Sequence, residues 1–249
     1  MEKRTDKNSY TIIFAIVMVL VVGSLLAYLA SSLKPTITEN QRLEKQQNIL
    51  YAMGINENEG TSANFISTDD APELFSQYIK QQLVVSKDGQ AVENDKAYLI
   101  DVKKEQAKAK NGEVRQLPLF VGEDEKGKKY YIAPIRGKGL WDAIWAYVAM
   151  DENMVVQGAY FDHKGETPGL GANIKQRFFM DDFIGEHLMS NGKFKGINVA
   201  KGNADPKNND KTDNEVDAIA GATITGDGVS AMIRSDLKLY VPYFKNLKQ

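Results

Sequence analysis

The chain has 249 residues, of which 43% are hydrophobic and 26% are charged, close to the average of soluble globular proteins. Its 31 Lys and Arg residues against 33 Asp and Glu residues give a formal net charge of -2, which argues against a general nucleic-acid-binding role. The absence of cysteine excludes disulfides, Cys-ligated metal centres and cysteine nucleophiles, and 2 histidines leave little room for a histidine-rich metal site. Redox chemistry in this chain would therefore require an organic cofactor.

An uncharged apolar segment lies near the N-terminus, where residues 11–30 read TIIFAIVMVLVVGSLLAYLA. About 20 apolar residues, rising about 1.5 Å each, span the roughly 30 Å core of a bilayer. A cleaved signal peptide is the alternative, but its apolar core is shorter, about 7–15 residues. Residues 30–34 also offer no clear small-x-small cleavage site. We therefore predict a retained transmembrane helix over residues 11–32.

Basic residues on the two sides of this segment suggest its orientation. Lys3, Arg4 and Lys7 precede it closely, whereas the basic residues that follow are more widely spaced. Positive charge favours the cytoplasmic side of a membrane. We predict a cytoplasmic tail over residues 1–10 and a soluble region outside the cytoplasm.

Residues 33–115 are predicted to form a spacer helix and the N-terminal part of the soluble region. Pro35 is expected to end the first helix. Thr36 and Glu39 have the spacing of a capping box, which predicts a polar helix that leads away from the membrane and stops at Gly54.

Two further segments precede the predicted cofactor domain. Asp70 followed by Pro72 predicts another helix start. The inner face of that helix is expected to carry Phe75, Tyr78, Ile79 and Leu83. Residues 103–110 are rich in lysine and are interpreted as a solvated surface or a hairpin edge.

Residues 116–249 combine strand and helix patterns in runs, so α+β is the predicted fold class. Strands are expected near Leu117, over residues 129–135, and as a hairpin formed by residues 145–150 and 154–161. Helical spacing follows over residues 174–188, and a long polar loop over residues 202–215. A last amphipathic helix is defined by Val229, Met232, Ile233, Leu237 and Tyr240.

Residues 217–225, DAIAGATIT, carry the most chemical information. Small residues let a backbone approach a ligand closely, and the N-terminus of a following helix favours a phosphate. Thr223 and Thr225 place hydroxyl groups there. The alternative is an ordinary junction between loop and helix in which the threonines are caps.

The same residues resemble the flavinylation signature of the FMN-binding domain family. That signature is an aspartate, small residues, Gly-Ala-Thr, one variable residue and then Thr or Ser. The resemblance implies that Thr225 carries one covalent FMN through a phosphoester. It also assigns Asp217, Gly221, Ala222 and Thr223 to the cofactor site. The family often has Ser where this chain has Ala220, a departure that leaves the acceptor untouched.

Two more segments resemble the same family: residues 163–171, HKGETPGLG, and residues 137–142, GKGLWD. They imply further cofactor-binding residues, namely Glu166, Thr167, Leu170, Leu140 and Trp141. A structural turn at residues 166–169 and ordinary core packing of the Leu-Trp pair are the alternatives. His163 is interpreted as a hydrogen-bonded structural residue. Because the flavin itself does the redox work, no catalytic residue and no metal ligand are predicted.

The single span and the long stretch before the flavin domain further resemble the NqrC family, the membrane-anchored flavoprotein subunits of Na⁺-translocating NADH:quinone reductases. This resemblance implies a single-pass protein of a bacterial inner membrane, with a periplasmic soluble domain. Its function would be electron transfer from NADH toward ubiquinone or menaquinone, coupled to Na⁺ export. The implied partners are the other subunits of the complex, the lipid bilayer and a Mg²⁺-dependent flavin transferase that uses FAD and releases AMP; nucleic acid is not among them.

Three alternatives remain at this point. The first is the RnfG flavoprotein of an Rnf-type ion-translocating ferredoxin:NAD⁺ oxidoreductase, which has the same domain and anchor. The second is a membrane-anchored binding or assembly protein without a redox role. The third is a stand-alone flavoprotein reductase outside the cytoplasm.

Overall fold

The computed structural model describes residues 8–205 and 208–248. It contains two compact units, Met1–Arg42 and Leu43–Gln249. Lys3, Arg4 and Lys7 lie outside the described residues, as does most of the predicted cytoplasmic tail. Residues 8–10 of that tail already belong to the first helix.

The first unit consists of the N-terminal part of helix α1, Asn8–Ala52. Among the described residues, α1 is the one helix long and apolar enough to cross a membrane, and none of its most apolar stretch is buried. The predicted end at Pro35 is wrong, because the helix continues through this residue. Pro35 lacks the N–H that would bind the carbonyl of Ser31, but both residues are exposed, so solvent can satisfy that carbonyl. Glu39 binds Arg42 instead of capping a new helix.

In the second unit, the end of α1 belongs to the hydrophobic core. Ile49, Leu50 and Ala52 are completely buried, and α1 ends just before Gly54, which has a φ of +90°. The predicted spacer helix is thus also a structural element of the soluble region.

A six-stranded antiparallel sheet lies at the centre of the second unit, with the strand order β2-β1-β3-β4-β5-β6. Its strands are β1 Ile79–Val85, β2 Ala91–Glu93, β3 Leu117–Glu123, β4 Lys129–Lys138, β5 Ala143–Met150 and β6 Val156–His163. The predicted hairpin is confirmed as the β5–β6 pair. Because β1 pairs with β3, the chain on both sides of residue 116 contributes to one sheet. The proposed domain limit at residue 116 stays a prediction.

Shorter elements surround this sheet. The helices are α2 Ala71–Tyr78, α3 Val102–Lys110, α4 Arg177–Met180, α5 Thr223–Asp236 and α6 Val241–Asn246. The short strands are β7 Met189–Ser190, which pairs with β8 Lys193–Phe194, and β9 Asn198–Val199, which pairs in parallel with β10 Glu215–Val216. Short 3-10 helices cover Ala97–Leu99, Gly171–Lys175, Asp181–Phe183 and Leu237–Tyr240. The α+β class is confirmed.

Two predictions before residue 116 need correction. Ile79 and Leu83 belong to β1, because the backbone becomes extended at Ile79, directly after α2. The lysine-rich segment forms helix α3, so the hairpin-edge alternative is wrong, whereas the solvated-surface alternative agrees with the exposure of Lys103, Lys104 and Lys110. The N-terminus of α3 is capped by Asp101, whose carboxylate accepts the N–H of Lys103 at 2.9 Å.

Residues 174–188 are also not one helix. The backbone is extended at Gln176, which separates a 3-10 turn from the short helix α4. Phe179 and Phe183 pack on Phe161 of β6, with ring centroids 5.6 and 4.8 Å away. Phe178 then points outward and is 59% exposed.

Helix α5 packs tightly on β4, which positions the functional site. A Cβ on Gly137 would lie 2.8 Å from Cβ of Met232, and a Cβ on Gly228 would collide with the backbone carbonyl of Lys138. Val229, Met232 and Ile233 of α5 are buried, as expected; Leu237 and Tyr240 are also buried but belong to the 3-10 helix that follows α5. The close approach holds the start of α5 beside the loop that follows β4.

Candidate functional site at the start of helix α5

The N-terminus of α5 carries unpartnered backbone donors. Thr223 is its first residue, and no side chain caps the helix at Ala222. The first intrahelical hydrogen bond runs from the N–H of Gly226 to the carbonyl of Ala222, at 2.9 Å. The N–H groups of the first turn therefore have no partner within the helix. Together with the positive end of the helix dipole, they favour an anion such as a phosphate.

Thr225 lies in this first turn and is bound to an acidic side chain. Its hydroxyl donates a 2.6 Å hydrogen bond to Oε2 of Glu166. Thr225 is 1% exposed and Glu166 is 4% exposed. The contact is thus a buried, charge-assisted hydrogen bond.

Backbone N–H groups also hold the Glu166 carboxylate. Oε1 accepts the N–H of Trp141 at 2.9 Å, and the carboxylate makes longer contacts of 3.4 Å with the N–H groups of Leu140 and Asp142. Burial alone would raise the pKa of Glu166. The hydrogen bonds from Thr225 and from these N–H groups outweigh burial and hold the pKa below its ordinary value. Glu166 is therefore an ionised carboxylate at neutral pH.

The loop after β6 fixes the position of Glu166. The backbone N–H of Glu166 donates to Nδ1 of His163 at 3.1 Å, which agrees with the structural role expected for His163. The indole N–H of Trp141 donates to the hydroxyl of Thr167 at 3.2 Å. These bonds tie the loop after β4 to the loop after β6, with Glu166 between them.

Glycines allow these loops to approach one another. A Cβ on Gly171 would lie 2.5 Å from Oγ1 of Thr225 and 2.6 Å from Oε2 of Glu166. A Cβ on Gly139 would lie 2.6 Å from Oε1 of Glu166. Neither position tolerates a side chain without displacing the buried pair.

A cavity of about 240 Å³ opens beside the buried pair. It is lined by Leu140, Glu166, Thr167, Leu170, Gly171, Gly221, Ala222, Thr223, Ile224 and Thr225. A second cavity of about 520 Å³ shares Gly221 and Thr223 with the first and also contacts Phe178 and Lys201. The two spaces thus adjoin the start of α5.

Exposed apolar side chains are concentrated around this position. Among the described residues of the second unit, the large exposed hydrophobic residues are Val92, Leu99, Val114, Leu140, Trp141, Leu170, Phe178, Ile184, Ile224 and Leu247. Half of them lie in the loops and the helix turn that carry the two cavities or directly beside them. A cluster of exposed apolar side chains of this kind is typical of a binding site for a ligand or another protein.

The structure brings together most of the residues predicted from the sequence. Lining the smaller cavity are the predicted residues Leu140, Glu166, Thr167, Leu170, Gly221, Ala222, Thr223 and Thr225. The side chain of Trp141 instead faces a separate cleft with Arg136 and Lys138, and only its backbone N–H reaches Glu166. Asp217 lines neither cavity at the start of α5.

Sequence reasoning missed four contributors: Gly139, Gly171, Ile224 and Phe178. The two glycines stand inside the quoted motifs, so their spacing offered a signal. Phe178 lies within residues 174–188, whose helical spacing predicted one helix that does not form. Ile224 is the variable residue of the signature, and only the first turn of α5 shows that it borders the cavity.

The donor set fits an FMN. The uncapped start of α5 suits a phosphate, and Thr225 offers an oxygen there for an ester. Leu140, Leu170 and Ile224 supply apolar surface for a flavin ring. Among the residues that line this cavity, Glu166 alone does not suit a phosphate, because its ionised carboxylate would repel the negative charge.

Comparisons with known proteins agree with this fit. A family profile described as "FMN-binding domain" matches residues 139–238. The NqrC of Vibrio anguillarum, a Na⁺-translocating NADH-quinone reductase subunit, is 30% identical over 92% of this chain and 90% of its own. The crystal structure of the corresponding subunit from Parabacteroides distasonis is 32% identical, with a TM-score of 0.72 over 85% of this chain and 96% of its own.

A second solved structure, the NqrC of Shewanella oneidensis, shares the fold. Its TM-score is 0.64 at 24% identity, over 84% of this chain and 98% of its own. The sequence match to the Vibrio protein covers 92% of this chain and thus extends well beyond residues 139–238, which match the FMN-binding profile. The chain therefore belongs to the NqrC family of Na⁺-translocating NADH-quinone reductases, oxidoreductase subunits with an FMN-binding domain.

Proposed function

We propose that this chain carries one FMN, bound through a phosphoester to Thr225, within a Na⁺-translocating NADH:quinone reductase. Its role there is to pass electrons on the way from NADH to ubiquinone or menaquinone, coupled to Na⁺ export. The observation that supports this most is the position of the Thr225 hydroxyl in the uncapped first turn of α5, at the wall of a cavity.

Several residues of the chain would hold the cofactor. The first-turn N–H groups of α5 would stabilise the single negative charge of the ester. Leu140, Leu170 and Ile224 would contact the flavin ring, and Thr167 offers a hydroxyl and an N–H beside them. When bound, FMN supplies the redox chemistry, while the protein supplies position, electrostatics and exclusion of side reactions.

We propose that a second protein takes part in making the ester. Among the described residues, no cluster of acidic or histidine side chains is suited to a metal ion. As the family resemblance implies, attachment is assigned to a separate Mg²⁺-dependent flavin transferase that uses FAD and releases AMP. Asp217, which lines neither cavity, is proposed as a residue that this enzyme recognises.

Helix α1 is proposed to anchor the chain in a bacterial inner membrane, with the soluble region in the periplasm. Its apolar, exposed character supports the anchor. A C-terminal alkaline phosphatase fusion tests the orientation, because this reporter is active only outside the cytoplasm. High activity is expected, and an inactive fusion that accumulates at normal levels would reverse the orientation.

Purification of the tagged full chain from its native membranes in a mild detergent tests the function. We expect several integral membrane proteins to copurify, with NADH:quinone reductase activity that Na⁺ stimulates. The same preparation should give a fluorescent flavin band at the mass of this chain on a denaturing gel. A chain that purifies alone, with or without flavin, would contradict membership in such a complex.

A further inference from the structure

The hydrogen bond between Thr225 and Glu166 has a direction that matters for ester formation. The hydroxyl is the donor and the ionised carboxylate is the acceptor, at 2.6 Å. The proton of Thr225 is thus already directed at a group able to take it. A threonine hydroxyl is a weak nucleophile at neutral pH and needs such an acceptor to react. The distance lies within the range required of a general base, about 2.6–3.2 Å.

No other titratable side chain competes for this proton. Among the described residues that line the cavity at Thr225, Glu166 is the only one that titrates. His163 is close in sequence, but its Nδ1 accepts the backbone N–H of Glu166 and does not contact Thr225. The buried pair is therefore a self-contained donor and acceptor.

We propose that Glu166 is a catalytic residue of this chain's own flavin attachment: it takes the proton of Thr225 during the reaction and keeps it afterwards. This inference rests on the proposed phosphoester at Thr225. In the step, Oγ1 of Thr225 forms a bond to the flavin-side phosphorus of FAD. The bond from that phosphorus to the oxygen of the AMP phosphate breaks, and AMP leaves. The proton of Thr225 moves to Oε2 of Glu166.

A weakly basic carboxylate suits this reaction. The attacking hydroxyl must lose its proton as its bond to phosphorus forms, and an ionised carboxylate already within hydrogen-bond distance can take that proton. Protein kinases likewise use an aspartate to accept the proton of the substrate hydroxyl. The low pKa of Glu166 keeps the carboxylate ionised and ready before the reaction.

The retained proton also resolves an electrostatic conflict. After attachment, a phosphodiester with one negative charge replaces the hydroxyl that now contacts Oε2. Two anions at hydrogen-bond distance repel each other strongly, and in a buried site this repulsion raises the pKa of the more basic group, which here is the Glu166 carboxylate. Protonated Glu166 becomes a hydrogen-bond donor, and the backbone N–H groups of the loop after β4 still fix its position.

The test measures flavin attachment to the full chain in detergent micelles, with purified flavin transferase, FAD and Mg²⁺, by the time course of intact mass. Glu166→Gln keeps the size and an acceptor oxygen but cannot take a proton. Glu166→Asp is shorter but can. If Glu166 is the base, the Gln variant loses about 100-fold or more in rate and the Asp variant is faster than Gln. A purely structural role predicts the reverse order, since Gln preserves the shape, and that order would overturn the proposal.

A second measurement needs no variant and therefore survives a folding defect of Glu166→Gln. The infrared difference spectrum between flavin-bearing and flavin-free wild-type chain should contain a carboxylic-acid C=O band that ¹³C-labelled glutamate shifts. Absence of the band would overturn the proposal. Failure of the proposed phosphoester at Thr225 is distinguishable from failure of the Glu166 proposal. In that case the wild-type chain would gain no flavin mass, or Thr225→Val would still gain it.

Discussion

The hydroxyl of Thr225 and the carboxylate of Glu166 meet at 2.6 Å, although 59 positions separate them in the sequence. Thr225 lies in the first turn of the helix that packs on β4, and Glu166 lies in the loop after β6. The contact thus joins two of the three segments that resemble the FMN-binding family, residues 163–171 and 217–225. It links the packing of the domain to the residue that is proposed to accept FMN.

Thr225→Val should abolish covalent flavin while the chain still folds. Valine has the shape of threonine but no hydroxyl, so no ester can form. The lost hydrogen bond to the buried carboxylate should lower the free energy of unfolding by about 1–3 kcal/mol. In-gel flavin fluorescence and thermal unfolding measure the two effects. The control is Thr61→Val, an exposed threonine that lines neither cavity at the start of α5 and should keep the fluorescent band. A band that survives Thr225→Val but is lost in Thr223→Val would move the acceptor to Thr223.

Gly171→Ala should disturb the buried pair. The new Cβ would lie 2.5 Å from Oγ1 of Thr225 and 2.6 Å from Oε2 of Glu166, so the pair must separate or the loop must move. We expect a loss of about 1–3 kcal/mol in stability, together with slower flavin attachment. Gly165→Ala serves as control, because its nearest neighbour would be 3.9 Å away. Equal melting temperatures and equal flavin content for both variants would show that the site is not close-packed.

Asp236→Asn should destabilise the domain strongly. Asp236, at the end of α5, is buried and accepts hydrogen bonds from Arg115, Gln106 and the backbone N–H of Arg136. Loss of its charge leaves the largely buried Arg115 unpaired, which costs about 3–5 kcal/mol.

The control for this variant is Lys164→Gln, which removes an ion pair with Asp142. Both partners of that pair are well exposed, so its loss should cost less than about 1 kcal/mol. Chemical unfolding compares the two variants directly. Similar costs would mean that the C-terminal end of α5 is not held by the buried charge.

Glu186 should make the domain less stable as the pH rises. Burial raises its pKa to about 7; the hydrogen bond from Asn208 and the charge of Lys211 only partly oppose this, and Asp213 adds to it. A carboxyl whose pKa is raised on folding stabilises the protein below its ordinary value of 4.5, and this contribution is lost as the pH rises through about 7.

Urea unfolding at pH 5 and pH 8 tests this dependence. The wild-type chain should lose about 1–3 kcal/mol more than Glu186→Gln between these two values. The pKa of Asp182 is raised to about 6, mainly by burial, so Asp182 also lowers the stability as the pH rises. This contribution is present in both proteins and cancels in their comparison. Glu166 contributes with the opposite sign, but only as the pH falls below 4.5. If the free energy of unfolding changed equally with pH in the wild-type chain and in Glu186→Gln, Glu186 would not be the cause of the pH dependence.

The full chain should stay in the membrane pellet after alkaline carbonate extraction. A chain that begins at Leu43 should be soluble and unfold at a similar temperature, because the second unit contains its own core. Release of the full chain by carbonate would contradict the anchor.

Local patterns predicted those parts of the structure that depend on neighbours in sequence. The uncharged run in α1, the β5–β6 hairpin and the apolar spacing of α5 all follow from composition and periodicity. The sequence does not predict helix α3, although Asp101 offers an N-cap and Gly112 a C-terminal end. The segment is rich in lysine and its buried residue is the charged Glu105, so no apolar periodicity marks its inner face. Pro35 was over-interpreted, since an exposed helix tolerates a lost backbone hydrogen bond.

The candidate site was predicted as a set of residues but not as an arrangement. Motifs placed Glu166 and Thr225 at one cofactor, yet nothing in their spacing places one oxygen against the other. That contact depends on the close approach of Gly228 to β4 and of Gly171 to the pair, which only the packed fold defines. The outward turn of Phe178 likewise depends on the packing of its two phenylalanine neighbours.

Mass spectrometry of the peptide that contains Thr225, prepared from native membranes, tests the central claim most directly. We expect a mass increase of one FMN joined with loss of water, with fragment ions that place it on Thr225. An unmodified peptide from membranes that contain the assembled complex, or a modification on Thr223 instead, would contradict the assignment.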